Sequence, residues 1–195
     1  SQVIRKGCLM LFIMNKTIVL IDSAYLSYIS KYFGKGKPLK YKIEKFVINI
    51  CNELNLFCEE IYYYTAPPYK SSIPTDSEKQ RQRNYDKFNS KLKLVKPKII
   101  IREGRCQKID NTFQQKGVDT LMTMDLLKIA AQRKTDSIII LTSDTDFVPI
   151  IKDIREEHNM QVILAYFTDK RRKSAFSLSN HLWKACNKRV LIKKE

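Results

Sequence analysis

Residues 137–149 read SIIILTSDTDFVP, and this stretch decides the fold that we expect. Its first half is a run of apolar, mostly β-branched residues, which is typical of a strand buried on both faces in the middle of a parallel sheet. The run leads into two acids, Asp144 and Asp146, and residues 147–157 then have the composition of a helix. A buried strand followed by acids and a helix predicts an α/β domain with polar groups at the carboxyl end of the strand.

A similar strand near the start of the chain supports the same architecture. Residues 17–21 read TIVLI and lead directly into Asp22. Strand and helix patterns then alternate to the end, which predicts an α/β domain with a mostly parallel sheet. A polar segment at 104–117 is expected to be irregular or to hold a hairpin. The predicted strands are 17–21, 60–65, 99–102, 137–142, 161–165 and 189–192, and the predicted helices are 24–32, 41–56, 77–92, 118–132, 147–157 and 176–186.

Length and cysteine usage set the class of protein. The chain has 195 residues, of which 44% are hydrophobic and 29% charged, so we expect one globular domain over residues 14–195. Residues 1–13 contain a short apolar run and are expected to be a leader or an extra packed segment, because the run is too short to span a bilayer. The five Cys form no CxxC pair, which favours free thiols and a cytoplasmic location.

The charge of the chain indicates an acidic partner. Lys and Arg number 36 against 20 Asp and Glu, which gives a net charge of +16. Nucleic acid, an anionic membrane and an acidic protein are the classes of partner that such a charge attracts, and an ordinary solvated surface is the alternative. We favour contact with phosphates and expect no membrane association, because the surplus of positive charge is so large.

Four acids are expected to meet at one edge of the sheet. Asp22 ends the first strand, Asp144 and Asp146 follow the fourth, and Asp119 opens a helix after Lys116 and a glycine. Neighbouring carboxylates repel each other unless one is protonated or a cation lies between them. Mg²⁺ prefers oxygen ligands, and a bound ion lowers the pKa of water and stabilises charge on a phosphate. The pattern therefore predicts a metal-dependent site for a polyanion.

Each acid also has a simpler interpretation. Asp22 and Asp144 are placed to cap helices, and Asp119 and Asp146 are placed to favour a helix dipole. We favour the metal site because four acids at converging strand ends in a basic protein exceed what capping requires. Asp125 lies further along its helix and either reaches the site or faces water.

Three segments carry a resemblance to a known family. They are IVLID at 18–22, QKGVD at 115–119 and LTSDTDFVP at 141–149. Together they resemble the NYN family, in its LabA-like group, which is part of the PIN-like nuclease superfamily, over residues 16–166. The resemblance implies a three-layer α/β/α sandwich of Rossmann-like form around a central, mostly parallel sheet. It also implies ribonuclease activity that depends on Mg²⁺ or Mn²⁺.

The resemblance assigns roles to particular residues. The family's acids correspond to Asp22, Asp119, Asp144 and Asp146, and Asp125 corresponds to a second acid that follows the KGVD segment. Asp22, Asp119 and Asp144 are then the expected metal ligands, with Asp146 as a further ligand or as the group that orients the water. The expected contacts to RNA, single-stranded or structured, are Ser143, Lys116, Arg105 and Lys108; a solvated loop is the alternative for the three basic residues.

One departure from the family supports a different function. The family usually has Asp-Gly-x-Asn after the first strand, whereas this chain has Asp22-Ser23-Ala24-Tyr25. The replacement at Tyr25 favours an alternative in which a catalytically weak PIN-like domain binds RNA or recruits a partner. A remoter alternative is a glycosyltransferase with a DxD motif at 144–146, for which the basic surface has no purpose. The oligomeric state stays open, and a homodimer is one of the assemblies considered.

Four tyrosines near the second strand have two interpretations. Tyr62, Tyr63 and Tyr64 lie in the strand, and Tyr69 follows in the loop at 66–77. Aromatic rings stack on nucleic-acid bases, but Tyr residues in a strand more often pack within the core. The loop that carries Tyr69 is expected to border the site.

Overall fold

A six-stranded sheet with only parallel pairings forms the centre of the molecule. The computed structural model describes residues 15–110, 112–169, 176 and 178–194. The prediction for residues 1–13 lies outside these described residues. Within them, helices cover both faces of the sheet, and the three-layer α/β/α arrangement is confirmed.

The helices and strands follow the predicted alternation. In chain order the strands are β1 (Asn15–Asp22), β2 (Leu56–Thr65), β3 (Lys98–Glu103), β4 (Arg105–Ile109), β5 (Thr112–Lys116), β6 (Ser137–Leu141), β7 (Gln161–Tyr166) and β8 (Lys188–Leu191). The helices are α1 (Ser23–Phe33), α2 (Ile43–Glu53), α3 (Asp76–Leu92), α4 (Val118–Ala131), α5 (Val148–Glu156) and α6 (Asn180–Ala185), and a 3₁₀ turn (Thr145–Phe147) precedes α5. None of the described helices has the length and apolar composition that crossing a membrane requires.

The order of the strands reverses at β1. The sheet runs β3-β2-β1-β6-β7-β8, so the chain builds outward from β1 in one direction and then returns to build from its other side. Connections on the two sides of such a reversal leave the sheet in opposite directions, which opens a crevice at the carboxyl ends of the two central strands. In this chain the crevice lies between β1 and β6.

Alternation along the central strands supplies two cores. Val19 and Ile21 of β1 point to the face covered by α1 and α2, whereas Ile18 and Leu20 point to the face covered by α4 and α5. All four side chains are essentially inaccessible to solvent. Every side chain of a strand that is buried on both faces lies in a core, which explains the uninterrupted apolar run in the sequence.

The boundary between α2 and β2 differs from the prediction. A helix was expected to run to residue 56, but α2 ends at Glu53 and β2 begins at Leu56. Asn55 has a φ of 54°, and a residue in this left-handed conformation commonly ends a helix. The apolar residues on either side hide this boundary. The expected hairpin at 104–117 is confirmed as the antiparallel pair β4–β5.

Tyr25 fastens α1 to the sheet. Its side chain is buried, and its hydroxyl oxygen accepts a hydrogen bond of 3.1 Å from the backbone N–H of Phe167, just beyond β7. Burial raises the pKa of the Tyr25 hydroxyl to about 12, so the group stays neutral. The residue that departs from the family pattern therefore serves the core of this protein.

We expect Tyr25→Phe to lower the free energy of unfolding by about 1–3 kcal/mol, because a buried N–H loses its acceptor. Urea unfolding followed by circular dichroism measures the change. Tyr85→Phe is the matched control, since it also removes a hydroxyl hydrogen bond, to Glu103, but at a solvent-exposed position. Equal losses for the two variants would contradict the role given to Tyr25.

Candidate functional site

Two acids leave the sheet at the same edge. Asp22 is the last residue of β1, and Asp144 follows β6 by three residues. Ile21 and Leu141 are direct partners in the parallel β1–β6 ladder, so the two strands end at the same level. Both acids consequently lie at the crevice where the strand order reverses, which is where ligands bind in open α/β sheets.

The hairpin returns the chain to this edge and delivers Asp119. β3 ends next to the start of the hairpin at Gly104, and α4 begins directly after Gly117. Gly117 has a φ of 79°, in the left-handed region that favours glycine. A side chain at Gly104 would place its Cβ 2.5 Å from the backbone oxygen of Lys116. The two glycines therefore allow a close turn that sets Asp119 in the first turn of α4.

Backbone hydrogen bonds hold two of the acids in place. Asp22 caps α1: its Oδ1 accepts from the N–H of Ala24 at 2.8 Å and of Tyr25 at 3.5 Å. Asp144 caps the 3₁₀ turn, with its Oδ1 accepting from the N–H of Asp146 at 2.9 Å. The capping interpretation is thus confirmed for Asp22 and Asp144. It does not remove the other interpretation, because the described bonds engage only Oδ1 of each carboxylate.

The four acids act on one another electrostatically. The pKa of Asp22 is raised to about 6, chiefly by burial and also by the charges of Asp119 and Asp144, against the lowering effect of its two backbone donors. The pKa of Asp119 is raised by burial and by the charges of Asp144 and Asp146. Asp22 and Asp144 are half-buried, while Asp119 and Asp146 are exposed. The structure thus brings Asp119 and Asp144 close enough to Asp22 for repulsion, and Asp144 and Asp146 close enough to Asp119.

The donor set suits a partly hydrated cation better than a closed metal cage. Among residues 15–110, 112–169, 176 and 178–194, no three His, Cys, Asp or Glu side chains are arranged to hold one metal ion. Mg²⁺ keeps several waters and is usually held by one or two carboxylates together with substrate phosphates. Hard oxygen donors that repel each other in pairs fit such an ion, because its charge removes the repulsion.

The predicted substrate-binding residues fall into two groups. Ser143 is half-exposed beside Asp144, and Lys116 ends β5 three residues before Asp119. Arg105 is the direct cross-strand partner of Lys116, so both side chains lie on the same face of the hairpin. Lys108 pairs with Phe113 and lies on the opposite face. The structure therefore separates Lys108 from the other two basic residues.

Asp125 neither joins the acids nor faces water. It is 6% exposed and forms a salt bridge with Arg102 of β3, with oxygen–nitrogen distances of 2.7 and 3.1 Å. The hydroxyl of Tyr64 in β2 donates to the same carboxylate at 3.0 Å. This carboxylate is already paired with a cation and a donor, so we assign it a structural role.

Two contributions to the site are not apparent in the sequence. The side-chain oxygen of Thr142, a buried residue, accepts from the N–H of Asp144 at 3.1 Å and holds the turn after β6. Tyr69 contacts Phe113 with 5.4 Å between ring centroids, which joins the loop after β2 to the hairpin. Thr142 is a common turn residue, but nothing in the sequence indicates the pairing of Tyr69 with Phe113. By contrast, the core interpretation of Tyr62, Tyr63 and Tyr64 is confirmed, since all three are buried.

Two pockets that are open to solvent lie away from the acids. One of about 580 Å³ is bounded by α1, α2 and the residues after β8, and one of about 450 Å³ lies at the starts of β2 and β3. Neither is lined by Asp22, Asp119, Asp144 or Asp146. The acids instead occupy an open edge of the sheet, which a polymer can reach.

A family model and one solved structure agree with the fold. The family model of the NYN domain matches residues 16–190. A crystal structure of a protein of unknown function from Vibrio parahaemolyticus matches with a TM-score of 0.57 and 18% identity, covering 92% of this chain and 94% of that one. A type II dehydroquinase from Butyrivibrio crossotus has a TM-score of 0.40 and 11% identity over 91% of this chain and 88% of that chain. No curated protein matches the sequence.

The raised pKa of Asp22 predicts a pH dependence of stability. Folding shifts this pKa from 3.8 to about 6, so the folded state binds the proton more tightly than the unfolded chain does. The resulting stabilisation is complete below the unfolded pKa and is lost as the pH rises through about 6. Without divalent ions, Asp22→Asn should therefore gain roughly 2–3 kcal/mol relative to the unsubstituted protein as the pH rises through this window.

Chemical unfolding in EDTA at a series of pH values measures this difference. Asn remains a good helix cap, so the substitution keeps the start of α1. Asp153→Asn, at an exposed position of α5, is the control and should follow the unsubstituted protein. A parallel pH profile for Asp22→Asn and the unsubstituted protein would contradict the electrostatic description of the site.

Two acids of α4 should respond in opposite ways to neutralisation. Asp125→Asn leaves Arg102 without its partner and should lower the free energy of unfolding by about 3 kcal/mol. Asp119→Asn removes repulsion with Asp144 and Asp146 and should leave stability unchanged or slightly higher, as is common for functional residues. Thermal and urea unfolding of both variants test this assignment, and a large loss in Asp119→Asn would argue against it.

Proposed function

Because this chain belongs to the NYN domain family, which is part of the PIN-like nuclease superfamily, we propose that it is a divalent-metal-dependent endoribonuclease. The observation that carries the proposal is the mutual electrostatic effect of Asp22, Asp119 and Asp144 at the carboxyl edge of the sheet. Capping accounts for the positions of Asp22 and Asp144, but it does not explain why Asp119 lies close enough to repel both of them. Binding of a divalent cation together with a phosphate would explain why these acids lie together.

In this proposal Asp22, Asp119 and Asp144 surround Mg²⁺ or Mn²⁺, with one or two of them in direct contact and the rest acting through bound water, because no three of the described acids are arranged as a closed set of ligands. Asp146 is a further ligand or orients the attacking water. The ion, when bound, supplies a lowered pKa for water and stabilisation of negative charge on the phosphate. Asp22 and Asp144 are held by their caps, so little reorganisation is needed when the ion enters. Charged groups that are already ordered before the substrate binds are a main source of rate enhancement in sites that act electrostatically.

The basic residues then hold the substrate. Lys116 and Arg105 share one face of the hairpin near Asp119, which suits contact with phosphates on either side of the cleaved bond. Ser143 lies beside Asp144 and is able to donate a hydrogen bond to a phosphate oxygen or to a water. The remaining surplus of Lys and Arg attracts the polyanion from a distance, with a strength that falls as salt is added.

The proposal also covers the cellular location of the protein and the bounds of its domain. We infer a cytoplasmic location from the odd number and wide spacing of the five Cys. We treat residues 14–195 as one domain, because the family match runs over 16–190. Membership of the LabA-like group and assembly as a homodimer remain predictions.

A second function is supported by Tyr25. Where the family usually presents Asn, this chain has a tyrosine buried in the core, so one polar group is missing from the site. A domain that binds RNA without cutting it would share the fold, the acids and the basic surface. The two functions differ in whether a bound RNA is cleaved when metal is present.

Cleavage of a labelled single-stranded RNA tests the proposed function. We expect products with Mn²⁺ or Mg²⁺ and none with EDTA. Asp144→Asn and Asp119→Asn should each lower kcat on the order of 10²–10³-fold, the usual cost of removing one group that stabilises charge in the transition state. Asn keeps the size of the side chain, so folding is preserved.

Asp153→Asn is the matched control and should cleave normally. Thermal shift with Mn²⁺ provides a readout apart from activity, because an ion that binds the folded state raises the melting temperature. That shift should disappear in Asp144→Asn. RNA binding without cleavage by the unsubstituted protein would favour the binding module, and cleavage that persists in EDTA or in Asp144→Asn would refute the proposal.

A further inference from the structure

The loop after β2 and the hairpin after β3 rise from the same edge of the sheet as the acids. The loop begins at Ala66, beyond the carboxyl end of β2, and β2 is the direct neighbour of β1. The hairpin begins beyond β3, the next strand outward, and the N–H of Gly104 donates to the oxygen of Thr65 at 2.9 Å. Both segments therefore stand beside Asp22 and Asp119.

An aromatic pair joins these two segments. The rings of Tyr69 and Phe113 lie 5.4 Å apart at an interplanar angle of 42°. Phe113 is 60% exposed, and Tyr69 is half-buried. Neither ring belongs to the two described cores, so core packing does not explain their presence. An exposed Phe on a projecting hairpin presents a flat apolar face to solvent.

Positive charge accompanies the aromatic pair. Lys108 is the direct cross-strand partner of Phe113, which places their Cβ atoms about 5 Å apart on one face. Lys70 follows Tyr69 and is exposed. A flat ring next to lysines matches a nucleotide, whose base stacks and whose phosphate is anionic.

The spacing to the acids suits one continuous strand of RNA. Phe113 precedes Lys116 by three residues, which is about 10 Å along β5, and Lys116 is three residues from Asp119. Phe113 lies on the face of the hairpin opposite Lys116, so a strand whose phosphate lies at the acids would bring its neighbouring bases to Phe113 by passing around the hairpin. Unpaired bases expose both faces, whereas bases inside an A-form helix are stacked on each other and are recognised mainly by shape.

We propose that Tyr69 and Phe113 form a stacking platform for unpaired bases of the RNA. The inference rests on the proposed function for the identity of the ligand. The platform explains why Lys108 lies on the face opposite Arg105 and Lys116: it serves a flanking phosphate beside the stacked base, while the other two serve the phosphates at the acids.

Binding without cleavage isolates the platform. Fluorescence anisotropy of a short labelled single-stranded RNA in EDTA measures affinity for the unsubstituted protein and for Phe113→Leu. Leu keeps an apolar contact with Tyr69 but cannot stack. We expect affinity for the single strand to fall about 5- to 100-fold, the range that loss of one stacked base gives, with affinity for an RNA duplex unchanged. Phe113→Trp should keep or strengthen binding.

Two further variants distinguish stacking from charge and from general damage. Lys108→Gln should lower the slope of log affinity against log salt, because one phosphate contact is lost, whereas Phe113→Leu should leave the slope unchanged. Phe88→Leu is the matched control: Phe88 is also partly exposed, but it lies on α3 against Tyr63. It should bind RNA normally.

Clear outcomes would overturn the platform. They are unchanged single-strand affinity in Phe113→Leu, an equal loss on duplex RNA, or an equal loss in Phe88→Leu. Cleavage is measured separately, so the two proposals fail separately. If the unsubstituted protein cuts single-stranded RNA and Phe113→Leu binds that RNA equally well, only the platform is contradicted. If Phe113→Leu weakens binding but the unsubstituted protein never cuts RNA, only the nuclease function is contradicted.

Discussion

The parallel pairing of β1 with β6 is the constraint on which the site depends. These strands are separated by more than a hundred residues in the chain, yet Ile21 and Leu141 are direct partners. Their pairing brings the ends of two apolar runs to the same level, so the acids that follow the two strands lie at the same edge of the sheet. Because the strand order reverses here, no helix connection covers the gap, and the space above it stays open. The fold creates the crevice before any ligand does.

Asp22 shows how one residue is able to serve both helix capping and the proposed metal site. Asp22 ends the strand, caps α1 through Oδ1 and still has a pKa raised by burial and by its acidic neighbours. Capping fixes the carboxylate in space, and the raised pKa reflects the cost of fixing it near other negative charges. Local backbone hydrogen bonds therefore account for the fixed position of this carboxylate, and the clustering of negative charge around it is the basis on which we propose a cation there. The two interpretations of Asp22 and Asp144 are complementary.

The sequence predicts those features that depend on local patterns. The strands at β1 and β6 follow from uninterrupted apolar runs, and the acids follow from their position directly after those runs. Features that depend on distant partners are hidden. Asp125 has the spacing of a site residue but meets Arg102 and Tyr64, neither of which is near it in the chain. The face of the hairpin on which Lys108 lies depends on the register of β4 and β5. The contact of Tyr69 with Phe113 depends on the conformation of the loop after β2. The start of β2 is missed because one residue, Asn55, changes the backbone direction inside an apolar stretch.

The salt bridge between Arg102 and Asp125 has a consequence for the hairpin between their two elements. It joins β3 to α4, the two elements between which the hairpin is inserted. With both ends of the hairpin held in this way, the residues between Gly104 and Gly117 form a module in which substitutions should leave the acids in position. Exchange of that module should therefore direct the domain to another polymer without any change in its core.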